Sequence, residues 1–122
     1  TDAYDATHPY RLGKIAERHP DARILMIHLG GVGFHDLSIP AIETMQAHPN
    51  IMGIGSAIRH INLLHALKTL GADRIAFGSD APFNLIHVEV AAYQAMMHDE
   101  FTQAEQNQIM YGNIARFLKL ES

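Results

Sequence analysis

Apolar residues along the chain alternate between short continuous runs and longer runs with helical spacing. The segments 23–29, 50–56 and 74–80 are short and apolar, which is typical of parallel strands buried on both faces. Helical spacing is found in segments 9–19, 38–48, 59–71, 85–98, 102–111 and 113–120. The strands recur at the spacing of one strand–helix unit of a parallel α/β fold. The pattern therefore predicts one α/β segment over residues 1–122, a β-α-β-α-β core with helices at both ends.

Several residues stand where helix ends are expected. Ser38 is predicted to cap the helix 38–48, whose first turn tolerates the proline two positions later. Gly71 is expected to end the helix 59–71. Thr102 and Glu105 have the T-x-x-E spacing of a capping box, and Asn113 is predicted to cap the last helix.

Composition limits the class of protein. The 122 residues are 48% hydrophobic and 18% charged, with a formal net charge of −4 and no cysteine. No basic cluster is present to meet phosphates, which argues against a nucleic-acid partner. No apolar run approaches the roughly 20 residues of a membrane helix, and the start lacks a signal peptide, so no membrane association is expected. The absence of cysteine favours a reducing, cytoplasmic location. The missing initial Met is consistent with a processed product or a fragment.

Two titratable residues stand at predicted strand ends. His28 follows the apolar run of the first strand, and Asp80 follows that of the third. Because parallel strands share one carboxyl-terminal rim, where active sites form in α/β folds, these residues are candidate catalytic groups. The alternatives are a histidine that only packs and an aspartate that only caps the turn after Gly78. Nine histidines are present in all, and most are expected to be surface or structural residues.

The loop after the first strand contains candidate substrate-binding residues. Gly30, Gly31 and His35 lie there, in "HLGGVGFHD". Ordinary loop glycines and a solvated histidine are the alternative, and the chain has neither a G-x-G-x-x-G nor a Walker pattern. A small open-sheet binding domain would need such a phosphate-binding loop.

Three stretches occur in an order and spacing that resemble a known superfamily. They are "PDARILMIHLGG", "ADRIAFGSDAPF" and "IMYGNIARFLKL", and they span about residues 20 to 120. The chain resembles the amidohydrolase superfamily, and more narrowly the amidohydrolase-related metal-dependent hydrolases. That group includes decarboxylases and hydratases of the aminocarboxymuconate-semialdehyde decarboxylase type.

The resemblance implies a (β/α)8 TIM barrel that uses a divalent metal, with zinc as first choice. His28 resembles the sixth-strand histidine that orients or polarises the substrate or attacking water. Asp80 resembles the eighth-strand aspartate, which contacts the metal and takes a proton from its bound water. A divalent ion lowers the pKa of bound water toward neutrality, which makes this division of roles chemically reasonable. The implied function is hydrolysis of a small carboxylate, lactone or amide, and the alternative is a non-oxidative decarboxylase or hydratase.

The sequence departs from that family in one large respect. Its members begin with a strand that ends in His-x-His, and no two histidines of this chain have that spacing. A complete barrel takes roughly 200 to 250 residues. The chain is therefore predicted to be the C-terminal portion of a barrel, about strands six to eight. It is expected to form a homo-oligomer, to associate with the missing barrel half, or to be a catalytically incomplete fragment.

Overall fold

The computed structural model describes residues 6–31 and 37–120, in which helices and parallel strands alternate. The helices are α1 (Pro9–Arg18), α2 (Ser38–Ala47), α3 (His60–Leu70), α4 (Ile86–Met97), α5 (Gln103–Asn107) and α6 (Asn113–Phe117). The strands are β1 (Ile24–Ile27), β2 (Ile51–Ile54) and β3 (Ile75–Ala76). A 3₁₀ turn (His28–Gly30) follows β1, and a π-helical turn (Gln108–Gly112) joins α5 to α6. The predicted β-α-β-α-β order is confirmed.

The strands form one parallel sheet in the order β1-β2-β3. Ile24 pairs with Ile51 at the start of the first ladder, and Gly53 pairs with Ile75 in the second. The central strand β2 is almost completely buried, whereas β1 lies at an edge of the sheet, where Ile27 is 49% exposed. Both ladders run in the same direction, so the three strands end at the same rim.

Strand β3 is much shorter than the predicted segment 74–80. It pairs with β2 over Ile75 and Ala76, and the next backbone N–H, that of Phe77, donates to the carbonyl of Ile109 in the π-helical turn. The ladder ends there because the chain finds its hydrogen-bond partner in a helix rather than in a neighbouring strand.

The core lies between the sheet and the helices. Consecutive helices pack on one another, α1 on α2, α2 on α3 and α3 on α4. The fully or almost fully buried side chains include Ala16, Met26, Leu29, Met45, Ile51, Leu63, Leu67, Ile75, Tyr93, Met97 and Ile109. Apolar faces at helical spacing thus meet continuous apolar strands, as the sequence pattern predicts.

Two of the predicted helix caps are wrong, and two predicted helix-end signals are confirmed. Leu37, not Ser38, is the N-cap of α2, and it makes no side-chain capping bond. Asn113 lies inside the fold and donates to the carbonyls of Ala72 and Ile75 at 2.6 and 3.0 Å instead of capping α6. The capping box at Thr102 is present, with both reciprocal hydrogen bonds. Gly71 ends α3 with φ of 102°.

Polar side chains anchor the amino-terminal ends of the strands. Asn50, just before β2, donates to the carbonyls of His19 and Ala22 after α1, at 3.1 and 3.0 Å. Arg74, just before β3, donates to the carbonyls of Met45 and Ile51 at 2.7 and 2.8 Å. The starts of β2 and β3 are therefore each hydrogen-bonded to the strand–helix segment that precedes them, which helps to fix the register of the sheet.

Within the described part of the chain, no helix has both the length and the apolar character needed to cross a bilayer.

Candidate active site

All three strands end in left-handed turns. Non-glycine residues with positive φ follow each strand, namely His28 at 58° and Leu29 at 42° after β1, Ala57 at 54° after β2, and Asp80 at 60° after β3; a fifth, Lys119 at 57°, lies beyond the last helix. Residues other than glycine adopt this conformation at a cost of about 1–3 kcal/mol each, and they concentrate at functional sites. The carboxyl-terminal rim of the sheet is therefore a candidate site on backbone evidence alone.

The structure brings His28 and Asp80 together at this rim. Nε2 of His28 lies 3.7 Å from Oδ1 of Asp80, and the two side chains are 24% and 25% exposed. The two atoms are too far apart for a direct hydrogen bond but close enough to contact a common water, ion or substrate atom between them. Shared access to solvent leaves both groups available for chemistry.

The turn that follows Asp80 does not depend on the Asp80 carboxylate. The main-chain carbonyl of Asp80 accepts hydrogen bonds from the N–H groups of Phe83 and Asn84, at 2.9 and 3.2 Å. The hydroxyl of Ser79 accepts from the N–H of Ala81 at 3.2 Å, and the Ala81–Pro82 peptide bond is cis. Because other atoms close this turn, the carboxylate of Asp80 can face His28.

Ser56 is a site residue that the sequence reasoning missed. Its hydroxyl oxygen lies 2.8 Å from Nδ1 of His28, and its carbonyl oxygen lies 3.0 Å from the same nitrogen. Ser56 follows the second strand, "NIMGIGS", just as His28 and Asp80 follow the first and third. Its position after the end of the second strand was the available signal, but serine is too common in loops to be selected on that ground.

A buried tyrosine supports the end of β2. The hydroxyl of Tyr93, on α4, donates to the carbonyl of Gly55, next to Ser56. Burial raises the pKa of Tyr93 above its ordinary value, so its phenol stays protonated and continues to donate. Phe77 packs edge-on against the Tyr93 ring, with centroids 4.8 Å apart. The strand end beside His28 is therefore held by both packing and a hydrogen bond.

A second histidine–carboxylate pair lies between the helices that follow β2 and β3. Nε2 of His60, at the start of α3, is 3.5 Å from Oε2 of Glu89 in the first turn of α4. The ring of His60 also packs edge-on against Tyr93. This pair joins the two helices, in agreement with the structural role predicted for His60.

The predicted substrate-binding residues do not lie between His28 and Asp80. Gly30 and Gly31 line a groove of about 390 Å³ along the exposed edge of β1, together with Ile15, Ile27 and His28. Gly30 has φ of 90°, and a Cβ there would lie 2.4 Å from Cγ of Pro9. His35 lies outside the described residues. A substrate-binding role for these three residues stays a prediction.

The described residues include two candidate metal donors, those of His28 and Asp80. Among residues 6–31 and 37–120, no group of three His, Cys, Asp or Glu side chains is placed to hold a metal ion. His28 and Asp80 offer two donor atoms, whereas a catalytic zinc takes three protein ligands and a water. The donor set therefore fits a divalent ion only if further ligands come from outside the described residues.

Nearly the whole sequence matches one family. The family model described as Amidohydrolase covers residues 1–120. The chain therefore belongs to the amidohydrolase family. Comparison with curated proteins finds no match.

Solved structures share the fold. An amidohydrolase from Burkholderia multivorans with bound zinc is 19% identical, with a TM-score of 0.74 over 92% of this chain and 49% of that chain. An uncharacterised TIM-barrel protein from Bordetella bronchiseptica is 18% identical, with a TM-score of 0.75 over 93% of this chain and 40% of that chain. A dihydroxybenzoic acid decarboxylase from Polaromonas sp. JS666, with bound manganese and the inhibitor 2-nitroresorcinol, is 21% identical, with a TM-score of 0.69 over 94% of this chain and 40% of that chain.

The chain spans about half or less of the length of these structures. The α/β fold with a parallel sheet is confirmed, and the neighbours include a TIM barrel. The narrower resemblance to the aminocarboxymuconate-semialdehyde decarboxylase type stays a prediction.

Proposed function

We propose that this chain is the C-terminal portion of a (β/α)8 barrel, about strands six to eight, and that it works when further strands complete the barrel. The edge of β1 supports this proposal, because Ile27 is 49% exposed there and the groove beside it is lined mostly by apolar residues. An unpaired parallel edge strand is a template for another strand. The added strands come either from the rest of a longer protein or from a second copy of this chain.

A charge at the β1 edge tests the assembly. Ile27→Lys places an ammonium in the groove where the next strand would pack, so it should shift the sedimentation profile toward the smaller species. Ile61→Lys is the matched control, since Ile61 is 69% exposed on α3 and lies away from the sheet edge. Equal profiles for both variants and the wild type would contradict docking of a second copy of this chain at this edge.

We further propose that the completed protein is a metal-dependent enzyme whose reaction takes place between His28 and Asp80. The observation that carries this proposal is the approach of Nε2 to Oδ1, 3.7 Å, between two residues in left-handed turns at the ends of separate strands. Zinc and manganese are both candidates, because structures similar to this chain contain one or the other. A divalent ion there would supply a Lewis acid and lower the pKa of water toward neutrality.

The two side chains have separate tasks in this proposal. The carboxylate of Asp80 would be a ligand of a divalent ion, and it is the group placed to accept a proton at this rim. His28 orients the substrate or the attacking water through Nε2, since Nδ1 is already engaged with Ser56. A partly exposed rim lets a small molecule reach both groups.

The reaction class is a hydrolysis of a small carboxylate, lactone or amide. A non-oxidative decarboxylation is the second candidate, favoured by the similarity to a dihydroxybenzoic acid decarboxylase. Both reactions need a positioned proton carrier at the carboxyl-terminal rim, so the geometry of His28 and Asp80 serves either one.

Paired assays on the assembled protein separate the two reactions. One panel contains lactones and amides and follows ring opening or acid release, and the other contains hydroxylated benzoates and follows release of carbon dioxide. Turnover in either panel that falls by at least about 10²-fold in His28→Ala would support the proposed site. His98→Ala is the control, because that side chain is 80% exposed on the far end of α4. Turnover that both variants retain would contradict the site.

A further inference from the structure

Both oxygens of Ser56 face the same nitrogen of His28. The carbonyl oxygen is 3.0 Å and the hydroxyl oxygen 2.8 Å from Nδ1. A carbonyl oxygen only accepts hydrogen bonds, so a contact of this length is favourable when Nδ1 carries the proton. The hydroxyl fits either tautomer, since it can accept from a protonated Nδ1 or donate to an unprotonated one, so the carbonyl contact is the one that favours a protonated Nδ1.

We propose that Ser56 is a positioning residue that fixes neutral His28 as the tautomer protonated on Nδ1, which leaves a lone pair on Nε2. The hydrogen-bond partner of one ring nitrogen commonly decides the state of the other, and such outer partners orient catalytic and metal-binding histidines. Nε2 is the nitrogen that faces Asp80 at 3.7 Å, so the lone pair is directed into the candidate site.

The surroundings hold Ser56 in one place. Its residue is only 4% exposed. A Cβ on Gly78 would lie 2.9 Å from Cβ of Ser56 and 2.6 Å from Cγ2 of Ile54, so the end of β3 can pass this close only as glycine. On the other side, the hydroxyl of Tyr93 holds the carbonyl of Gly55. A serine so enclosed has few other positions, and its two oxygens stay on Nδ1.

The tautomer limits what His28 can do. With the lone pair on Nε2, neutral His28 accepts a proton or a Lewis acid at the site, and it does not donate a hydrogen bond to a substrate oxygen. The tautomer of His28 is a property of the folded chain and does not depend on the proposed function. Only its consequence for catalysis rests on that function.

Nitrogen NMR reads the tautomer directly. Long-range proton–nitrogen correlation spectra of the ¹⁵N-labelled protein distinguish a protonated ring nitrogen from one with a lone pair, and the signals of His28 are those that vanish in His28→Asn. The expected wild-type result above the titration range of histidine is a protonated Nδ1 and an unprotonated Nε2. The opposite pattern would overturn the proposal.

Substitutions of Ser56 test which of its oxygens selects the tautomer. Ser56→Ala keeps the main-chain carbonyl that accepts from Nδ1, so the Nδ1-protonated pattern should persist in it, and Ser56→Thr should show the same pattern. Ser79→Ala is the matched control, because its hydroxyl binds the N–H of Ala81 at the same rim rather than His28. An Nε2-protonated His28 in Ser56→Ala would contradict the selection of the tautomer by the carbonyl of Ser56. If Ser56→Ala fails to fold, the wild-type and Ser56→Thr spectra still decide.

Kinetics separate this inference from the proposed function. In the assembled enzyme, Ser56→Ala should lower kcat by about 10- to 100-fold with little change in KM, and Ser56→Thr should restore most of it. Unchanged turnover in His28→Asn would sink the proposed function while leaving the tautomer result intact. If turnover requires His28 but Nδ1 of neutral His28 is unprotonated, only the proposed role of Ser56 is contradicted.

Discussion

At the carboxyl ends of the strands, His28, Ala57 and Asp80 adopt left-handed conformations, and two titratable side chains face each other with solvent access. At the amino ends, Asn50 and Arg74 donate to main-chain carbonyls of the preceding units. The carboxyl end has strained backbone and two solvent-accessible titratable side chains. The amino end satisfies backbone carbonyls and connects consecutive strand–helix units. We infer that the two ends of one sheet divide reactivity and stability between them, as the two faces of TIM barrels do.

The largest effect on activity is expected at the carboxyl end. Asp80→Asn removes the charge and the proton-accepting oxygen, so turnover of the assembled enzyme should fall by about 10²- to 10⁴-fold. The melting temperature should change little, because the turn after Asp80 is closed by its main-chain carbonyl. Asp99→Asn is the matched control, since that carboxylate is 92% exposed and distant from the rim. Near-normal turnover of Asp80→Asn would contradict a catalytic role for the carboxyl end of the sheet.

The sequence contained enough information to place the pair at this end. His28 and Asp80 each follow an apolar run, and parallel strands of one sheet must end at one rim. Their roles in the reaction stay predictions, since proximity alone does not assign a proton or a ligand. Ser56 was not predicted, because its importance comes from a contact with His28 across two strands, which local pattern does not encode.

Other differences have the same physical origin. Ser38 and Asn113 are both good capping residues by type, but whether they cap depends on backbone geometry and on distant partners. Asn113 is fully buried and bonds to carbonyls at the start of β3, a tertiary contact that overrides its local preference. The capping box at Thr102 was predictable because both of its partners lie within one turn. Local signals predicted local contacts, and tertiary contacts decided the rest.

The largest effect on stability is expected at the amino end. Arg74→Ala removes a donor from the carbonyls of Met45, His48 and Ile51, and of these His48 still accepts from the N–H of Ile51. Hydrogen bonds from a charged group contribute about 1.5–3 kcal/mol, so the free energy of unfolding should fall by about 3 kcal/mol, measured by urea denaturation. KM and kcat at a temperature where the variant is folded should stay near wild type. A large fall in kcat without loss of stability would show that the two ends are not separate in function.

The smallest effect is expected outside both ends. Thr102→Ala removes the side-chain half of the capping box of α5 while leaving the sheet and both rims untouched. The loss in unfolding free energy should be about 1 kcal/mol, with unchanged turnover. Thermal unfolding followed by circular dichroism measures this loss of stability. A loss larger than that of Arg74→Ala would contradict the claim that the amino end of the sheet contributes more to stability than this cap.

The central claim is that the carboxyl end contributes a ligand to a metal-dependent site, and metal content tests it most directly. Elemental analysis of the assembled protein, wild type against Asp80→Asn and Asp99→Asn, gives moles of zinc and manganese per chain. The account predicts about one divalent ion per completed site in the wild type and in Asp99→Asn, and a clear loss in Asp80→Asn. An equal metal content in all three proteins, or none in a protein that turns over substrate, would contradict the account.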